Sequence, residues 1–159
     1  MQNTENWKEI LSAKLPILGH RNWIVITDMA YPLQSGQGIT TLFADEDYTQ
    51  VLKTVKQAVD AAPHVFAHVY CDKELAYIPD ADVPGIEALK KQMQQIVGND
   101  LVELPHEEII SRLDESGRLF NVLIIKTPLT MPYTSLFFQL DCGYWDAERQ
   151  QRLEKAMGK

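Results

Sequence analysis

Four separated parts of this chain carry side chains that can move a proton or hold a polar ligand. They are His20, Asp28, His106 and the corner 132–135, Pro-Tyr-Thr-Ser. Imidazole, carboxylate, phenol and hydroxyl groups together provide both donors and acceptors of hydrogen bonds. With Tyr31 close to Asp28, this set suits a sugar better than an anion or a lipid.

Each of these residues also has a purely structural interpretation. His20 could bond to the backbone before a strand, Asp28 could cap the following turn, and Tyr133 could be a core tyrosine. His106 follows a proline at a predicted helix N-terminus, where the helix dipole disfavours imidazolium and favours a neutral, hydrogen-bonding ring. Residue types alone leave both interpretations open.

Sequence patterns for other chemistries have little support. Residues 35–38 are glycine-rich, but they precede a strand and lack the sequence of a phosphate-binding loop. His64 and His68 would lie together on a helix, but in the predicted strand four residues span about 13 Å, so structural or surface roles are expected. No Ser or Cys lies in a nucleophile elbow. Metal-dependent hydrolysis and covalent acyl chemistry therefore have little support.

Composition limits the class of protein. A chain of 159 residues, 45% apolar and 23% charged, is typical of one soluble globular domain. Its net charge of −7, without a basic cluster, argues against nucleic acid as a partner. No apolar run approaches the ~20 residues that span a bilayer, so no membrane partner is expected. Residues 1–8 lack the pattern of a signal peptide, so Cys71 and Cys142 are expected as free thiols in the cytoplasm.

Strand and helix patterns alternate along most of the chain. Residues 23–27 are apolar except for the last, which is typical of a strand covered on both faces. We expect a single three-layer α/β domain with a mixed, mostly parallel central sheet of about six strands and helices on both faces. Predicted helices cover 4–15, 45–62, 83–97, 105–117 and 146–157, and predicted strands cover 23–27, 39–43, 64–71, 101–104, 119–125 and 133–140.

Four short motifs occur in a familiar order. They are Leu-Gly-His at 18–20, Asp-x-x-Tyr-Pro at 28–32, Glu-x-x-His-Glu at 103–107 and Pro-Tyr-Thr-Ser-Leu at 132–136. Together they resemble the signature of the ribose pyranase/fucose mutarotase family over residues 10–143. The resemblance implies one sugar-mutarotase-like domain over residues 1–159, in which the helix at 146–159 extends beyond the usual family ending.

The resemblance also implies roles for individual residues. His20 would be the general acid, and Asp28, His106 and Tyr133 would bind the sugar. Ser135 stands where the family usually has Asn, and we expect it to face the same sugar. The implied activity is a cofactor-independent isomerisation between anomers, or between pyranose and furanose forms, of a monosaccharide such as ribose or fucose.

The distance between His20 and Asp28 limits how they can act together. In an extended chain they would lie about 26 Å apart, so either residues 18–22 fold back or two subunits share the pocket. Because family members form ring-like oligomers, we favour a pocket completed by a neighbouring chain.

Two other interpretations stay open. The chain could be a sugar-binding or sensing protein without turnover, because the Ser135 hydroxyl cannot copy the geometry of an amide. It could also be a structural α/β domain with a fortuitous motif match.

Overall fold

Strand β1 (Trp23–Thr27) lies inside a sheet, and all five of its residues are buried. The computed structural model describes residues 4–159, with side chains from Asn6 onward; residues 1–3 of the expected domain lie outside the described part. The other strands are β2 (Ile39–Phe43), β3 (Val65–Asp72), β4 (Val102–Leu104), β5 (Val122–Lys126) and β6 (Leu136–Cys142). The α-helices are α1 (Thr4–Lys14), α2 (Tyr48–Ala61), α3 (Ile86–Val97), α4 (His106–Leu119) and α5 (Ala147–Ala156).

The six strands form one sheet in the order β2-β5-β1-β6-β3-β4. Strand β6 is antiparallel to both of its neighbours, β1 and β3. The pairs β1–β5, β2–β5 and β3–β4 are parallel. The expected mixed and mostly parallel sheet is therefore confirmed.

Helices cover both faces of the sheet. Alternate residues of β1 point to opposite sides, so Ile24 and Ile26 join one buried cluster, while Trp23 and Val25 join another. Buried residues of α1, α2 and α3 belong to the first cluster, and those of α4 belong to the second. The three-layer prediction is confirmed, and α5 has no buried residue.

Four predicted elements begin three residues later than expected: α2 at Tyr48, α3 at Ile86, β5 at Val122 and β6 at Leu136. Two of these differences have identifiable local reasons. The helix expected from residue 45 begins at Tyr48, because Asp47 is its N-cap and accepts a hydrogen bond from the Thr49 N–H at 3.2 Å. The strand expected from residue 133 begins at Leu136, because Tyr133 has a φ of 59° and lies in a turn.

The two cysteines lie far apart in the sheet. Cys71 pairs with Leu136, whereas Cys142 pairs with Val65. Six residues of β6 separate these positions, about 20 Å, which is far beyond the reach of a disulfide. Both are free thiols, as expected. Across residues 4–159 no helix has the length and apolar character needed to cross a membrane.

Candidate functional site

A cavity of about 330 Å³ opens where β1 and β3 end and α4 begins. Asp28, His106, Tyr133 and Ser135, four of the five predicted site residues, line it. Parallel strands place their carboxyl ends at the same edge, which is why Asp28 after β1 meets the residues after β3. The cavity is within the size range of sites for small organic ligands.

Asp28 is a partly desolvated carboxylate in this cavity. Desolvation raises the pKa of Asp28 above its ordinary value, although a backbone hydrogen bond and the nearby charges of Lys126 and His106 oppose the rise. The loop that follows is held by the Met29 N–H, which donates to the Leu129 carbonyl at 2.7 Å. The carboxylate is therefore a fixed acceptor facing the cavity.

His106 is anchored at both its backbone and its ring. Its backbone N–H, at the start of α4, lies 3.0 and 3.2 Å from the two carboxylate oxygens of Glu74. Its ring Nδ1 lies 3.0 Å from Asp72 Oδ1. Its ring also packs edge-on against Tyr133, with 5.7 Å between the ring centroids. His106 is thus both the first residue of α4 and a residue that lines the cavity.

Asp72, at the end of β3, is a lining residue that sequence reasoning missed. It is only 1% exposed, and its Oδ2 has no hydrogen-bond partner in the described part of the chain. Desolvation raises the pKa of Asp72 to about 6; His106 opposes this rise, and the carboxylates of Glu74 and Asp28 add to it. The signal that selected Asp28, an acid at the end of a predicted strand, applies equally to Asp72.

The corner at 132–135 is held in place by α2. The buried Tyr48 hydroxyl donates to the Thr134 carbonyl, and the Thr134 hydroxyl donates to the Met131 carbonyl at 2.8 Å. Tyr133 is 43% exposed at the cavity, whereas Ser135 is buried. The corner therefore presents one exposed phenol and one buried hydroxyl to the same space.

His20 lies at the other end of the sheet. Its Nδ1 is 2.9 Å from Asp141 Oδ1, and His68 Nε2 is 3.0 Å from Asp141 Oδ2. Residues 19–22 do form a turn, but Arg21 and Asn22 bond to the backbone of Leu140 and not to the cavity edge. Asp141 is six residues beyond Ser135, about 20 Å along the strand direction. Within one chain, His20 therefore does not enter the cavity.

His64 and His68 lie at the same end of the sheet as His20, and they have the structural and surface positions expected of them. His68 is exposed, and His64 Nε2 lies 3.0 and 2.9 Å from the carbonyls of Leu15 and Leu18. Among the side chains described, those of residues 6–159, no group of three His, Cys, Asp or Glu is arranged to hold a metal ion.

Asp141 differs electrostatically from the cavity acids. Desolvation alone would raise its pKa, but hydrogen bonds from His68, the Cys142 backbone N–H and His20 lower the pKa of Asp141 below its ordinary value. The carboxylate is therefore ionised at neutral pH and holds both imidazoles.

A mixed six-stranded sheet, with a cavity at its strand ends that several polar side chains line, defines an α/β protein with a candidate site for a small ligand. Residues 1–142 match the sequence profile of the RbsD / FucU transport protein family. The chain belongs to that family. A comparison with curated proteins finds no match.

Three solved structures share the fold. RbsD of Bacillus subtilis, complexed with D-ribose, has 19% identity and a TM-score of 0.58, covering 83% of this chain and 91% of its own. The fucose mutarotase of Streptococcus pneumoniae, in complex with L-fucose, has 17% identity and a TM-score of 0.57, with coverage of 88% and 96%. FucU of Bifidobacterium longum has 17% identity and a TM-score of 0.53, with coverage of 84% and 92%.

Proposed function

We propose that this chain is a sugar mutarotase or pyranase, a cofactor-independent isomerase that interconverts cyclic forms of a monosaccharide such as ribose or fucose. The observation that carries the proposal is the cavity itself. Asp28, His106 and the pair Tyr133 and Ser135 come from three distant parts of the sequence, yet they line one space of about 330 Å³. Membership in a family whose structures include ribose and fucose complexes supports the same activity.

The reaction needs only proton transfers between heteroatoms. Ring opening requires a proton on the ring oxygen and loss of one from the anomeric hydroxyl, and reclosure reverses these steps. A positioned acid or base typically accelerates such a step by roughly 10²–10⁴-fold. In our proposal Asp28, His106, Tyr133 and Ser135 bind the sugar hydroxyls, and His20 is the catalytic general acid.

His20 would reach the sugar from a neighbouring subunit of a ring-like homo-oligomer. Its side chain is 59% exposed and is oriented by Asp141, which leaves one edge of the ring accessible. Apolar side chains near the cavity mouth are also exposed, with Met29 at 48% and Leu33 at 80%. These observations support a surface that a second copy covers, with the site at the subunit interface.

Two further expectations belong to this proposal. We place the protein in the cytoplasm, where the thiols of Cys71 and Cys142 would stay reduced. We also propose that residues 1–159 form one mutarotase-like domain, with 146–159 as a helical extension. The family match over residues 1–142 and the absence of buried side chains in α5 support this division.

Exchange NMR with ribose, fucose and related sugars tests the activity. We expect the wild type to accelerate exchange between ring forms, whereas His20→Ala should not. Lys53→Ala, at an exposed position on α2, is the matched control and should behave as the wild type does.

The alternative function is sugar binding without turnover, and Ser135 is the observation that favours it. Binding without exchange by the wild type would establish this alternative. Ser135→Asn would then be expected to create exchange activity, because it supplies the donor and acceptor of an amide at longer reach.

Mixed oligomers test the shared site. His20→Ala and Asp28→Asn subunits, each inactive alone, are unfolded and reassembled together. Because a shared site takes one residue from each subunit, random assembly should restore about one quarter of the wild-type sites. If the reassembled wild type is active, a mixture that stays inactive would contradict the shared site.

A further inference from the structure

The contact between Asp72 and His106 assigns a direction to the hydrogen bonds inside the cavity. At 3.0 Å from Asp72 Oδ1, the Nδ1 atom of His106 must donate when the carboxylate is ionised, because a carboxylate offers only acceptors. Burial raises the pKa of Asp72 only to about 6, so the carboxylate is mostly ionised above pH 7. His106 therefore carries its proton on Nδ1 in the neutral ring.

The other ring nitrogen is left for a ligand. The side chain of His106 is 31% exposed and lines the cavity. Among residues 6–159, whose side chains the structure describes, none forms a hydrogen bond to its Nε2. A neutral imidazole that is protonated on Nδ1 has a lone pair on Nε2.

We propose that Asp72 is a positioning residue for His106, which holds the ring in the Nδ1–H tautomer so that Nε2 accepts a hydrogen bond from a sugar hydroxyl. This inference takes its ligand, a sugar, from the proposed function. The tautomer is inferred from the contact between Asp72 and His106 and does not depend on that function. A second acceptor lining the same cavity is the carboxylate of Asp28. The cavity thus offers two acceptors to a ligand that donates two hydrogen bonds, as a sugar can.

The energetic position of Asp72 agrees with a role at a ligand site. Its Oδ2 is buried without a partner in the described chain, and an unpaired buried acceptor destabilises a fold. Such groups are rare and occur preferentially at functional sites. The charged groups around Asp72 are His106, which faces it, and the carboxylates of Glu74 and Asp28.

The tautomer can be measured directly by ¹⁵N NMR of the histidine rings at pH 8, with His106→Asn to assign the signal. We expect the wild type to show protonated Nδ1 and unprotonated Nε2 at His106, which is the minor tautomer of free histidine. A wild-type His106 ring protonated on Nε2 would overturn the proposal, and this measurement needs no sugar.

Two substitutions separate positioning from structure. Asp72→Leu removes the acceptor and should release the Nδ1–H tautomer, with sugar affinity about five- to tenfold weaker. Asp72→Asn keeps an acceptor oxygen and should retain both the tautomer and most of the affinity. Glu74→Gln is the matched control, because Glu74 contacts the backbone N–H of His106 and not its ring. This substitution should leave the tautomer unchanged.

The outcomes are distinguishable from failure of the proposed function. An Nδ1–H tautomer that survives in Asp72→Leu contradicts the positioning role, whether or not the wild type catalyses exchange. A tautomer that behaves as expected in a protein without ring-form exchange supports the positioning role and contradicts the proposed activity.

Discussion

Two histidine–carboxylate clusters lie at opposite ends of the sheet. The cavity cluster is Asp72 with His106, and the amino-end cluster is Asp141 with His20 and His68. Their hydrogen bonds are almost equal in length, at 3.0 Å in the first and 2.9 and 3.0 Å in the second. Geometry alone therefore does not distinguish them.

Burial does distinguish them. The side chain of Asp72 is 1% exposed and that of Asp141 is 37% exposed. Desolvation dominates at Asp72 and raises its pKa to about 6. At Asp141 desolvation also acts, but the hydrogen bonds from His68, Cys142 and His20 outweigh it, so the pKa is lowered. A buried pair can fix a ligand, whereas the exposed cluster can meet a neighbouring molecule.

The largest expected effect separates the two clusters by kinetics. His20→Ala should lower the exchange rate by about 10²–10⁴-fold with sugar affinity nearly unchanged, because it removes only proton transfer. His106→Ala should instead weaken sugar binding, because it removes a cavity contact. NMR exchange rates and sugar titrations of both variants separate the loss of rate from the loss of affinity. Equal losses of rate and affinity in both variants would abolish the distinction.

The pH dependence of stability tests the buried acid. The folded-state pKa of Asp72 is raised from 3.8 to about 6, so its stabilising contribution is present below pH 4 and is lost as the pH rises through 6. Asp72→Asn removes this loss. Between pH 4 and pH 8, the free energy of unfolding of the variant, measured in urea, should rise relative to that of the wild type by at most about 3 kcal/mol. If the wild type instead gained stability relative to the variant between pH 4 and pH 8, the raised pKa of Asp72 would be contradicted.

Asp141 should show the opposite sign in the same experiment. Because its folded-state pKa is lowered, its stabilising contribution is present at neutral pH and is lost as the pH falls below its ordinary value. Asp141→Asn should therefore lose stability at neutral pH relative to acid pH. We expect less than about 1 kcal/mol, because solvent screens the exposed ion pairs.

Asp141→Asn also tests the amino-end cluster as a support for His20. Asp141 offers one oxygen to His20 and the other to His68, and an amide has only one acceptor oxygen, so Asp141→Asn cannot accept from both rings. Loss of this support should misorient His20 and lower the exchange rate by about tenfold, with sugar affinity unchanged. Wild-type rates in this variant would show that His20 needs no carboxylate to orient it.

The smallest expected effect belongs to His68. His68→Ala leaves the bond from His20 to Asp141 Oδ1 intact, so the exchange rate should change by no more than about twofold. Exchange measurements beside those on Asp141→Asn provide the comparison. A loss as large as that of Asp141→Asn would make His68 an equal member of the cluster.

Local patterns in the sequence were sufficient for most of the architecture. The run 23–27 forms a strand where predicted, because a strand covered on both faces needs a continuous apolar segment. The strand 39–43 also forms where predicted, although it is a half-buried edge strand, because its β-branched residues favour extended backbone. Asp28 and His106 are also recognisable from local pattern, because Asp28 ends a predicted strand and His106 begins a predicted helix. The roles of the site residues stay predictions.

Only the tertiary structure decided which of these groups meet. Asp141 is 121 residues from His20, and Asp72 is 34 residues from His106, so strand order and register bring them together. The antiparallel insertion of β6 places Ser135 at the cavity edge and Asp141 at the other end. The sequence by itself determined which side chains can do chemistry, because that depends on residue type and local pattern. Pairing and burial, which depend on contacts between distant segments, decided their partners and their pKa values.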